Sequence, residues 1–147
     1  MSGVGAEKQY VVFRLEGQLY GAEISVVREV SYLTPITRLP NTPPYVEGVI
    51  DLRGEVMPVI DIRKRLGLPA READGETRVM ILSVRDMTSA LVVDGVEQVL
   101  TLSDEQITAP DQRVTVAGQD YVVGVARSGE QLVIIMDLAR MLNTAAV

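Results

Sequence analysis

The chain has 147 residues, 14 of them basic and 20 acidic, a net charge of −6, and neither cysteine nor histidine. Disulfides, thiolate or imidazole metal sites, cysteine nucleophiles and every histidine-based triad are thereby excluded. The acidic balance argues against nucleic acid, whose phosphates need clustered positive charge, and the length suits one ordinary domain or two small ones.

The N-terminal MSGVGAEKQ lacks the basic-then-apolar order of a signal peptide, and residues 1–8 read as a flexible start. Short strands follow: YVVFRL (10–15), QLYGAE (18–23), REVSYL (28–33) and EVMPVID (55–61), each rich in Val, Ile, Tyr or Phe and bounded by Gly or Pro. Pro58 inside the last of these predicts an edge strand or a bulge. Asp61 is an N-cap type residue before IRKRL, and Gly67 stops that short helix. The polar stretch AREADGE (70–76) reads as a linker, taken as 70–77. Strands resume at RVMILSV (78–84), SALVVD (89–94) and EQVLTL (97–102). Ser103 and Gln106 fit a capping box, and strands at YVVGVA (121–126) and QLVIIMD (131–137) close the series. Asp137 then caps a second short helix ended by Asn143. No apolar run, such as 132–136, is long enough to cross a bilayer, so a soluble cytoplasmic protein is expected.

Many short strands at close spacing suggest a barrel or sandwich, and an internal repeat refines this. A shift of 69 lays residues 10–30 on 79–99, with Val27, Glu29 and Val30 facing Val96, Gln98 and Val99. After a seven-residue insertion the shift becomes 76, and YVEGV (45–49) meets YVVGV (121–125) while Asp61 meets Asp137. Two like β modules are expected, over 9–69 and 78–136, with residues 137–147 as a C-terminal helix and strand exchange between modules left open.

The segment 48–66, GVIDLRGEVMPVIDIRKRL, concentrates the candidate chemistry. Asp61 and Asp137 read as helix caps; the sharper alternative is a proton-sharing pair like that of aspartic proteases. Asp51 and Gly54 suit a tight turn, Asp51 by bonding its own backbone two residues on. Arg53 faces Gly129 in the repeat and has no such local explanation. It is a hairpin arginine paired with Asp51 or Glu55, or an anchor for a partner's carboxylates.

YVEGVIDLRGEVMPVIDIRKRLGL resembles the central segment of the CheW family, coupling proteins of bacterial chemotaxis arrays. The likeness extends through LYGAEISVVREV, ITRLPNTPPYVEG, VVDGVEQVL and IIMDLARML, nearly the whole chain. The resemblance implies an all-β fold with short helices, built as two pseudo-repeated five-stranded SH3-like β-barrels, with no enzymatic activity and no cofactor. It implies a scaffold that joins the cytoplasmic tips of chemoreceptors to the regulatory domain of the histidine kinase CheA, recruited to receptor arrays at the inner face of the membrane. Ile24, Val27, Val30 and Arg53, with the repeat counterparts Val96 and Val99, match receptor-binding positions. Glu29, Gly48, Asp51 and Gly54 match positions tied to kinase or partner contacts. Core packing is the plain alternative for the apolar residues, and a strand-entry clash for Gly48. Asp51 stands where the family usually has asparagine, which adds charge beside Arg53. The alternative outputs are a non-flagellar chemosensory pathway and, more remotely, a nucleic-acid-binding barrel, for which the few aromatics leave little to stack on.

Overall fold

A computed structural model describes residues 6–109 and 121–145 of the chain. Residues 1–5 of the expected flexible start and 146–147 of the expected C-terminal helix lie outside the described residues. Among the described residues ten strands and two helices run in the order β1 (Lys8–Leu15), β2 (Gln18–Glu23), β3 (Val27–Tyr32), β4 (Val46–Leu52), β5 (Glu55–Ile60), α1 (Ile62–Leu66), β6 (Arg78–Val84), β7 (Met87–Val93), β8 (Gly95–Leu102), β9 (Val122–Ser128), β10 (Gln131–Met136) and α2 (Leu138–Ala145). Single 3₁₀ turns follow β2 (Ile24–Val26) and β8 (Asp104–Gln106). β4 is absent from the strands read off composition, because Glu47, Gly48 and Asp51 dilute its apolar content; only its repeat match to 121–125 pointed to it.

The fold is all-β with short helices, in two five-stranded sheets of order β8-β1-β2-β10-β9 and β3-β6-β7-β5-β4. Each sheet takes strands from both halves of the sequence. One compact unit holds the chain up to Val26 and from Glu97 on, and the other holds Val27–Val96. The contiguous modules 9–69 and 78–136 therefore give way to exchanged ones. The stretch 70–77 connects α1 to β6 inside the second unit rather than linking modules. The physical reason is the parallel pairing of β10 on β2 and of β5 on β7. A parallel neighbour cannot be reached by a tight hairpin, so each central hairpin is completed by strands from the other repeat.

The repeat persists in the backbone. The N–H of Asp61 donates to Tyr45 C=O and that of Asp137 to Tyr121 C=O, both at 2.7 Å. Isolated bridges join Thr37 to Val49 and Thr108 to Val125. In each sheet the chain leaving one edge strand, β3 or β8, thus touches the opposite edge strand, β4 or β9, curling the sheet toward closure. Most of the inserted residues fall between Thr108 and Tyr121, largely in 110–120, outside the described residues. The cores correspond as well: Tyr10, Val12, Ala126, Val133 and Ile135 in the first unit match Val79, Ile81, Ile50, Met57 and Val59 in the second.

Two local expectations need correction. Pro58 does not mark an edge strand, since β5 lies between β4 and β7. No register shift occurs at Pro58; instead the β5–β7 ladder is short, pairing only Val59 and Ile60. Its counterpart β10–β2 pairs four residues, including Ile134 at the position of Pro58. A residue without an amide proton ends the ladder on that side. The second correction is that α2 continues past Asn143 to Ala145.

Candidate interaction site

The β4–β5 hairpin turns on Arg53 and Gly54, with φ of +53° and +88°. Two left-handed residues give the turn whose twist matches the flanking strands. Glycine adopts that conformation freely, whereas any other L-residue gives up roughly 1–2 kcal/mol. At the matching position the other unit has Gly129, with φ of +60°. The backbone would favour glycine at position 53, so the arginine is explained by its side chain.

That side chain is not joined to Asp51, the partner expected beside it along with Glu55. The Asp51 carboxylate accepts the Gly54 N–H at 2.8 Å, closing the turn three residues on rather than two. Arg53 donates through Nη2 to Glu29 Oε1 on β3 at 2.5 Å. Arg28, next to Glu29, donates to both oxygens of Glu55 at 2.8 and 3.3 Å. β3 and β4 are the two ends of the strand order, so these crossed ion pairs tie the first strand to the hairpin at the far end. The hydrogen bond from Arg53, with the charges of Arg53 and Arg28 beside it, holds Glu29 below the ordinary carboxylate range. Arg28 does the same for Glu55, and the bond to Glu29 raises Arg53. Arg53 nevertheless keeps 65% of its side chain exposed. In the first unit Gln98, the counterpart of Glu29, bonds Ser128 at 3.3 Å, a neutral link in place of the charged one.

The apolar candidates are not core residues. Ile24 and Val30 are each 40% exposed and Val99 48% exposed, while Val27 and Val96 are half-buried. Val27, Val30 and Val96 belong to the second unit, with Glu29, Gly48, Asp51, Arg53 and Gly54; Ile24 and Val99 belong to the first. The structure therefore gathers Glu29, Asp51, Arg53 and Gly54 around one hairpin, with Val30 one residue beyond Glu29 on β3. Two further residues, Arg28 and Tyr32, were missed in the sequence, and Glu55 was expected only as a partner of Arg53. Arg28 and Glu55 complete the ion-pair network, and their pairing across 27 residues leaves no sequence signal. Tyr32 is 73% exposed, with the Arg78 guanidinium 4.4 Å from its ring centre. Strand alternation from Val30 would have found it.

Gly48 has a packing role. A Cβ there would lie 2.3 Å from the carbonyl oxygen of Thr37, and at Gly124 2.4 Å from that of Thr108. These are the residues of the closing bridges, so glycine is what allows the backbones to meet. Asp61 accepts the Lys64 N–H at 3.1 Å and Asp137 the Arg140 N–H at 2.9 Å, each as the cap of its own helix. Ser103 N–H donates to Gln106 Oε1 at 2.8 Å, the side-chain half of the expected capping box. Among the described residues no cluster of three acidic side chains is placed to hold a metal, and no helix is long and apolar enough to cross a membrane.

The model of the CheW-like domain matches residues 9–146. This chain belongs to the CheW-like family. The chemotaxis protein CheW of Klebsiella aerogenes is 34% identical over 98% of this chain and 87% of its own length. That of Treponema pallidum is 33% identical over 92% and 82%. The crystal structure of the scaffolding protein TtCheW from Thermoanaerobacter tengcongensis superposes with a TM-score of 0.82 at 34% identity, covering 92% of each chain. A CheW-like chain is an adaptor of chemotaxis signalling.

Proposed function

We propose that this protein couples the cytoplasmic tips of chemoreceptors to the regulatory domain of the histidine kinase CheA, without catalysing a reaction itself. On this reading it works in the cytoplasm and is recruited to receptor arrays at the inner face of the membrane. Arg53 carries the reading: a mostly exposed guanidinium in a turn where glycine would be cheaper, aimed by Glu29 and without a counterpart in the other unit. Its free donors suit a partner's carboxylate. Val30, with Ile24, Val27, Val96 and Val99, supplies apolar surface for receptor contact; Glu29, Asp51 and Gly54 shape the hairpin that meets a partner. Gly48 acts on coupling through the Thr37 bridge it permits.

The test is co-sedimentation of the protein with receptor-containing membranes and kinase, together with kinase autophosphorylation. Arg53→Ala is expected to keep the parent's circular dichroism and melting curve while kinase activation falls. A variant that activates fully would remove Arg53 from the contact. The proton-sharing reading of Asp61 and Asp137 has each carboxylate already engaged as a helix cap.

A further inference from the structure

Each unit carries a cavity at the start of its helix, and the repeat makes the two equivalent. Lys8, Glu23, Ile107, Val123 and Asp137 line the first and correspond to Thr77, Val92, Ile36, Glu47 and Asp61 lining the second. In the second unit the chain after α1 fills the site: residues 70–73 form one wall, and the remaining cavity is about 160 Å³. That segment is pinned by charge. Buried Arg63 grips the buried Asp94 carboxylate at 2.7 and 2.9 Å and donates to Pro69 C=O at 2.7 Å. Arg71 reaches the same carboxylate at 3.1 Å.

The first unit differs at each of these points. Ala139 and Ser25 stand where the repeat places Arg63 and Asp94, so the internal clamp is absent. The cavity of the first unit measures about 310 Å³, against about 160 Å³ in the second. Its floor is apolar, from Tyr10, Ile107, Ile135 and Leu138. Its rim has gained carboxylates where the twin has apolar groups: Glu23 replaces Val92, and Asp104 replaces Leu33 at the offset that aligns Thr108 with Thr37. Burial, and then the negative charges of Glu23 and Asp104, raise the Tyr10 hydroxyl above its ordinary pKa. Among the described lining residues Glu23, Asp104 and Asp137 are acidic and Lys8 is basic, 3.9 Å from Glu23.

We propose that this cavity of the first unit is a docking cleft for an extended segment of a partner protein bearing a small apolar residue followed by arginine or lysine. The second unit displays the occupant's shape in its own Ala70-Arg71. The carboxylate rim supplies the charge complementarity for a basic side chain brought from outside. This cleft is distinct from the Arg53 hairpin, so the two readings stand or fall separately.

The probe is a capped peptide of sequence LPAREAD, copied from residues 68–74, titrated into the full-length ¹⁵N-labelled protein. Saturable amide shifts are expected at Tyr10, Glu23, Ile107 and Val123. Replacing the peptide's arginine by glutamate is expected to weaken binding roughly tenfold or more, since attraction becomes repulsion. The double variant Glu23→Gln, Asp104→Asn, with its melting temperature checked against the parent, is expected to bind about two- to five-fold more weakly. Absence of saturable shifts would overturn the proposal, as would equal affinity for the glutamate peptide. Shifts confined to 27–96, with the peptide displacing its parent segment, or concentration-dependent self-association at the cleft would overturn it too.

Discussion

At position 53 a side chain is held at the expense of its own backbone. Arg53 occupies a left-handed turn position where its repeat counterpart is Gly129. Arg53→Gly relieves that strain and loses only an exposed ion pair, so its urea midpoint should lie close to that of the parent. Its kinase activation should nevertheless fall as far as that of Arg53→Ala. Gly48 and Gly124 show the opposite case, in which absence of a side chain is what matters. Alanine at either would force Thr37 or Thr108 away and break a closing bridge, at a cost of about 1–3 kcal/mol by chemical denaturation. Similar losses at both positions would mark them as packing residues. Arg63→Ala takes a buried cationic partner from the buried Asp94 carboxylate, and a destabilisation of about 3–5 kcal/mol is expected.

At the scale of elements, β3 and the β4–β5 hairpin are joined by the pairs Arg53–Glu29 and Arg28–Glu55, while β8 and the β9–β10 hairpin are joined by the neutral Gln98–Ser128 contact. The charged closure should respond to pH and the neutral one should not. Glu29 and Glu55 are held below the ordinary glutamate value of 4.5. A carboxyl whose folded pKa is depressed adds stability above its unfolded pKa, and that stability is lost as pH falls through the folded value. The variant Glu29→Gln, Glu55→Gln should therefore melt below the parent at pH 7. The gap in melting temperature should close as pH drops below 4.5, and also in high salt, because the pairs are exposed. A gap that persists at acid pH would mean that the glutamates act by packing.

For the whole molecule, exchange of strands decides what can fold alone. Residues 27–96 contain all of β3, β4, β5, β6 and β7, a complete sheet on one stretch of chain. That fragment should show cooperative urea unfolding. A fragment of residues 9–69 pairs no complete sheet and should stay unfolded under the same conditions. The sequence by itself determined the elements and their order: β-branched residues, turn glycines and cap residues act locally, so nine strands, both helix starts and the twofold repeat were legible. It also determined the family, because a motif such as GVIDLRGEVMPVIDIRKRL is a property of the linear chain. Only the tertiary structure decided which strands pair. Parallel neighbours come from distant parts of the chain, and a repeat matches either half equally well to its own or its partner's strands. The same distance hid the partner of Arg53, since Glu29 lies 24 residues away and becomes its neighbour only when the sheet curls.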